Sequence, residues 1–174
     1  TFEYNINGGV TQTVITTAGN SVNIQAPTGT AGTFTYNLLS VKEGSANGCS
    51  QAVTGSIVVT VNELPTATIA GNTEVCLNAP SPDVTFTGAA GVAPYTFTYK
   101  INGGASQTIN STGNTVSIQV PTGTAGTFVY TLVNVKDASS TTCNQAQSGT
   151  ATVTVNPLPT GNFNFTIPSC ETRN

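Results

Sequence analysis

Histidine, methionine and tryptophan are absent from this chain of 174 residues, and charged side chains make up only 6% of it. Each shortage closes a class of chemistry. Without histidine there is no imidazole base, no Ser-His-Asp or Cys-His pair, and no zinc site of the usual histidine-containing kinds. Four Lys and Arg against seven Asp and Glu leave a net charge of −3, which cannot neutralise a run of phosphates, so neither nucleic acid nor a polybasic membrane contact is expected. No apolar run approaches the roughly 20 residues that cross a bilayer, so no direct membrane insertion is expected. The carboxylates Glu3, Glu43, Glu63, Glu74, Asp83, Asp137 and Glu171 are dispersed and read as solvated surface charge. A calcium site at Glu63 or Glu74 lacks the clustered oxygen ligands that calcium takes, and a glycosidase would need two carboxylates facing one cleft. Gly29-Thr-Ala-Gly32 and Gly123-Thr-Ala-Gly126 precede neither Lys-Ser/Thr nor a helix, so they are turns rather than phosphate cradles. The expectation is a non-enzyme without cofactor or metal.

What the chain does contain is itself, twice. Phe2-Glu-Tyr-Asn-Ile-Asn-Gly-Gly9 returns as Phe97-Thr-Tyr-Lys-Ile-Asn-Gly-Gly104, and Pro27-Thr-Gly-Thr-Ala-Gly-Thr-Phe34 returns unchanged at 121–128. With one deletion near residue 15 the offset settles at 94, and 37 of 61 aligned positions are identical. Cys49 then maps to Cys143, Leu64-Pro65-Thr66 to Leu158-Pro159-Thr160, and Cys76 to Cys170. This register predicts the later part of one repeat over 1–62, a whole repeat over 63–156, and a linker with the start of a third over 157–174. The chain reads as an excerpt of a longer array.

Inside the whole repeat the apolar period is two, and the stretches are short and bounded by Gly, Pro and Asn. Strands are predicted over 83–88, 95–101, 107–109, 115–120, 127–135 and 150–155. Threonine at alternate positions suits them, being β-branched with a hydroxyl for water. Asn102-Gly103, copied at Asn7-Gly8, is the pair that a type I′ turn needs, because both central residues take positive φ. Six or seven strands in about 90 residues predict an all-β fold, a tandem array of immunoglobulin-like β-sandwich modules.

Pro65-Thr-Ala-Thr-Ile-Ala-Gly71, Val75-Cys-Leu-Asn78, Val84-Thr-Phe-Thr-Gly88, the stretch Pro94 to Gly104 and Ala125-Gly-Thr-Phe-Val-Tyr130 resemble the Ig-like or PKD-like tandem repeats of very large surface and secreted proteins of the Bacteroidota. Such proteins are similar to adhesins exported by the type IX secretion system. The resemblance covers the whole chain. It implies an extracellular or cell-surface array engaged in adhesion or appendage building, with no activity assigned to one repeat.

Tyr130, and Tyr36 in the copy, fall where an immunoglobulin-like domain places the tyrosine corner of strand F, two residues before a cysteine that is here Leu132. They are expected either to hydrogen-bond the backbone or to serve as plain core aromatics. The cysteines alternate at spacings of 27, 67 and 27 residues. The favoured pairing is Cys76 with Cys143 within one repeat, leaving Cys49 and Cys170 with partners outside the excerpt. The reason is that Cys143 sits in a loop near the repeat's amino-terminal end, whereas the next repeat attaches some 26 Å away, beyond the roughly 7 Å that a disulfide allows. Such a bond would contribute about 4 kcal/mol in the chain-entropy model. Pairing across the junctions, Cys49 with Cys76 and Cys143 with Cys170, and free thiols are the alternatives.

The connectors Val61-Asn-Glu-Leu-Pro-Thr66 and Val155-Asn-Pro-Leu-Pro-Thr160 are short and carry Pro65 and Pro159, too stiff for free tumbling. Leu64 and Leu158 are expected to tuck into the junctions. A semi-rigid rod follows, advancing on the order of 40 Å per repeat. The expected role is a structural stalk or filament segment giving reach and strength, with neighbouring repeats as partners and other copies of the chain in a filament or bundle. The alternative is binding of a surface glycan or protein, for which Tyr95 beside Pro94 is the aromatic candidate.

Overall fold

The computed structural model describes residues 1–166, and their regular structure is entirely β. Strands β1 (Phe2–Ile6), β2 (Gln12–Val14), β3 (Gly32–Lys42) and β4 (Ser50–Val61) form a sheet ordered β2-β1-β3-β4. The strands that follow are β5 (Thr66–Ala70), β6 (Thr73–Cys76), β7 (Asp83–Ala89), β8 (Thr96–Ile101), β9 (Gln107–Asn110), β10 (Thr115–Gln119), β11 (Gly126–Lys136), β12 (Asn144–Ala146) and β13 (Thr150–Asn156). They build two layers, β10-β7-β5 against β6-β13-β11-β8-β9, with β12 also paired to β11.

Alternation explains the layers. Val84 and Phe86 on β7, Phe97 and Tyr99 on β8, Tyr130 and Leu132 on β11, and Ala151, Val153 and Val155 on β13 are buried, and together they form the core between the sheets. The threonines between them on β7, Thr85 and Thr87, are only half-buried, as a pleat with one face on the core requires. The phase slips once. A register shift between Leu132 and Asn134, opposite β8, inserts one residue, so the next core side chain is Val135 rather than Asn134. The copy bulges at the same place, between Leu38 and Ser40.

The predicted strands all form, with ends shifted by a residue or so. Three others, β5, β6 and β12, carry too few large apolar residues to announce themselves. The Asn-Gly turns form as expected, with φ of 49° and 70° at Asn102 and Gly103 and 53° and 73° at Asn7 and Gly8. Each asparagine also fastens the neighbouring strand, its Oδ1 accepting from Val129 N or Thr35 N at 2.7 Å.

Residues 1–62 repeat the order β9-β8-β11-β13 as β2-β1-β3-β4, down to the aromatic pair. Tyr4 and Tyr36 stack at 6.2 Å and 24°, Tyr99 and Tyr130 at 6.2 Å and 25°. No second layer covers this first sheet among the described residues. The copy of β10, Ser21-Val22-Asn23-Ile24-Gln25, therefore forms no ladder, because the strand it would pair with has no counterpart there.

Candidate functional site

The functional features converge on the connector, where β4 ends at Val61 and β5 opens at Thr66. Asn62 Nδ2 donates to Thr141 Oγ1 at 2.8 Å, tying the connector to the loop between β11 and β12. Pro65 is fully buried and anchors the entry to β5. Leu64 is 53% exposed, so it does not tuck into its junction as expected, while Leu158 is 51% exposed beside a repeat that lies largely outside the described residues. Chain alternation explains Leu64, since its successor Pro65 occupies the inward slot. Pro159 is likewise exposed.

The loop from Asp137 to Cys143 is organised by a buried carboxylate. Asp137 is 3% exposed. Its Oδ1 accepts from Ser139 Oγ at 2.8 Å and Ser139 N at 3.3 Å, and its Oδ2 from Val92 N at 3.1 Å. Asp137 N donates to the Cys143 carbonyl and Ala138 N to that of Val92, closing the loop on its neighbour. Gly91 makes room, for it sits at φ +63° and a Cβ there would lie 2.7 Å from Asp137 Oδ2. Burial raises the Asp137 pKa, but the bonds from Ser139, Val92 and Cys143 outweigh it and hold the carboxyl below its ordinary range. The reading of Asp137 as solvated surface charge is thus corrected. Its copy Glu43 is exposed, yet accepts from Ser45 Oγ at 2.7 Å, and that bond, with others from Cys49, lowers its pKa. The signal was present: Glu43-Gly-Ser45 and Asp137-Ala-Ser139 both stand six residues before a cysteine.

Asp137→Asn is expected to cost about 2 kcal/mol at neutral pH, the scale of hydrogen bonds to a charged group. A depressed native pKa contributes stability above the unfolded value near 4, and that contribution disappears as pH falls through the native value. Urea unfolding from neutrality into acid checks this. The gap between wild type and variant should close on acidification, and a gap independent of pH would contradict the assignment.

Of the two readings of Tyr130, the structure has the core aromatic, stacked on Tyr99, with no hydroxyl bond to a backbone group among the described residues; the buried Tyr36 hydroxyl likewise has no partner among them. The backbone-bonding tyrosine is Tyr95, whose hydroxyl donates to the carbonyl of Ala90, five residues upstream. Tyr95 is 3% exposed, so it is no platform for a ligand. Burial raises its pKa, with the charges of Asp137 and Glu63 adding to the effect.

No family model matches the chain, and no curated protein matches it either. The cysteines are decided by geometry. Cys143 adjoins Asn144, which pairs with Lys136 at one end of β11, whereas Cys76 pairs with Asn156, just past the Val155 that faces Gly126 at the other end. Ten residues of strand separate those ends by about 30 Å, so Cys76 and Cys143 are not bonded to each other, and among the described residues neither thiol has a partner. The cause is β6, which leaves the layer of β5, joins β13 in parallel and carries Cys76 to the far end. Cys49 is free and exposed, beside Ser50, which pairs with Lys42 at the end of its sheet away from Asn62. Cys170 lies outside the described residues. Among the described residues no three of His, Cys, Asp or Glu gather as a metal site.

Proposed function

We propose that this chain is a load-bearing segment of a large extracellular repeat protein, a stalk or filament of a cell-surface adhesin or appendage built from immunoglobulin-like repeats. Supporting the immunoglobulin-like reading is the strand order. β5, β7 and β10 stand against β13, β11 and β8, as A, B and E stand against G, F and C in that fold, with β9 beside β8 where a C′ strand would lie.

The observation that carries the mechanical reading is the parallel pair of β6 and β13, with Thr73 opposite Val153 and Cys76 opposite Asn156. Tension entering through Pro65 and leaving through Asn156 pulls these strands past each other. Their ladder bonds run across the strands, so they are loaded in shear together rather than peeled singly. The bond from Leu77 N to the Asn156 carbonyl at 2.8 Å extends the clamp by one residue. The Asn62 contact and buried Pro65 transmit force without a slack linker. Glycan binding through Tyr95 finds no support in a side chain buried under its own loop.

Stretching the chain from its two ends by atomic force microscopy tests this. One resisted rupture is expected, releasing about 300 Å of contour for the roughly 90 residues from β5 to β13. Extension without a force peak would refute the mechanical role.

A further inference from the structure

Asn62, the first residue of the connector, is held by a chain of side-chain hydrogen bonds that ends on the buried carboxylate of Asp137, and the carboxylate sets the direction of every proton in it. A carboxylate only accepts, so Ser139 gives it the single proton of its hydroxyl, at 2.8 Å. Ser139 Oγ is then left as an acceptor, from Cys143 N and from the Thr141 hydroxyl, both at 3.4 Å. With its own proton so engaged, Thr141 Oγ1 has lone pairs for Asn62 Nδ2 at 2.8 Å and for the Cys143 thiol at 3.2 Å. Bonds linked in this way polarise one another, and the charge at the end of the chain is what aligns them.

The loop that carries these residues is held in shape by its surroundings. Thr142 sits at φ 48°, a left-handed conformation that a branched side chain avoids, and such a residue stays there only where neighbouring bonds over-determine it. Thr142 N donates to the Ser139 carbonyl at 2.8 Å. The copy of Thr142 is Gly48, at φ 55°, and its N donates to the Ser45 carbonyl at 3.0 Å, so both copies keep one loop shape although only one has the residue that adopts it freely. Glu43, Ser45, Asn47 and Cys49 stand 94 residues before Asp137, Ser139, Thr141 and Cys143, and Asn62 recurs as Asn156. On the other side Val92 fixes the loop, its N donating to Asp137 Oδ2 and its carbonyl accepting from Ala138 N. Asp137 thus has a rigid frame inside the sandwich, and Asn62 is where the chain of bonds leaves it.

We propose that Asp137 is a positioning residue for the joint: through Ser139 and Thr141 its carboxylate fixes Asn62, and with it the orientation of the β2-β1-β3-β4 sheet relative to the sandwich of β5 to β13. The residues that this holds still are 62–64, which lie between the end of β4 at Val61 and the buried Pro65. Such a joint works in a stalk or outside one.

Spin labels on Cys49 and Cys76, both exposed and one on each side of the joint, test it by double electron–electron resonance on the full chain, with Cys143→Ser and Cys170→Ser in the background. One narrow distance distribution is expected. Asn62→Ala and Thr141→Val should each broaden it by roughly 10 Å, the span of three flexible residues. Ser139→Ala and Asp137→Asn should broaden it as much, although neither residue touches the connector. Combining Asp137→Asn with Thr141→Val should add nothing, because both cut the same chain of bonds. Near-ultraviolet dichroism of the core tyrosines, expected unchanged in Ser139→Ala, separates a loosened joint from a lost fold. A broad distribution before any of these changes, a narrow one in Ser139→Ala, loss of its dichroism, or additive broadening in the double variant would each overturn the proposal.

Discussion

Replacing Phe86 with alanine is expected to lower the unfolding free energy by about 4 kcal/mol, within the range for a buried phenylalanine truncated in a core. Phe86 has no exposed surface and sits on β7, the middle strand of its layer. Its ring lies 5.6 Å from that of Phe97 and 5.2 Å from that of Tyr99, both on the opposite layer. These are tilted aromatic pairs, which add to what area alone contributes. The void cannot close easily, because β7 is held by ladders to β5 on one side and β10 on the other. The variant should shift the urea midpoint of residues 63–156 and weaken the near-ultraviolet dichroism of the packed tyrosines. A loss below about 1 kcal/mol would mean that the layers are not packed through this ring, since even Ile→Val changes in cores reach that size.

Gly88→Ala is expected to cost about 3 kcal/mol, at the upper end for overpacking, although one methyl group is a small addition. A Cβ on Gly88 would stand 2.6 Å from Cδ2 and Cγ of the Tyr95 ring, closer than such atoms approach. Neither side can give way. Gly88 N donates to the Asn114 carbonyl at 2.7 Å and Gly88 pairs with Ala67, while Tyr95 is fastened by its hydroxyl to Ala90 and by its backbone N to Ser111 Oγ. Thermal unfolding of the variant measures the effect. If the double change Gly88→Ala with Tyr95→Leu recovers most of the loss, the clash is its cause; no recovery would place the cost in the backbone.

Much of the fold was legible because its strongest signals are local. Val84 to Gly88 and Thr150 to Val155 alternate strictly, and Asn102-Gly103 encodes positive φ through its own side chains, so these needed no knowledge of the partner strand. β5 and β6 were missed because Thr66-Ala-Thr-Ile-Ala70 and Thr73-Glu-Val-Cys76 have little apolar bulk and owe their form to the ladders with β7 and β13. The bulge at Leu132 escaped because an inserted residue in a run of Leu-Val-Asn-Val looks like ordinary alternation. The buried carboxylate of Asp137 was hidden for the opposite reason. Asp137-Ala-Ser139 looks polar and solvated, and only the approach of Gly91 and Val92 from the preceding loop buries it.

Composition, internal similarity and period were determined by the sequence alone: a chain without imidazole, matching itself at an offset of 94, alternating in twos and turning at Asn-Gly. Those are properties of neighbouring residues and of identity between copies. Which end of the sandwich each residue occupies was decided only by the tertiary structure. β6 could have stayed with β5; instead it crosses to lie parallel to β13, which parts Cys76 from Cys143. Such a crossing is fixed by hydrogen bonds between segments some eighty residues apart, a relation that no local pattern records.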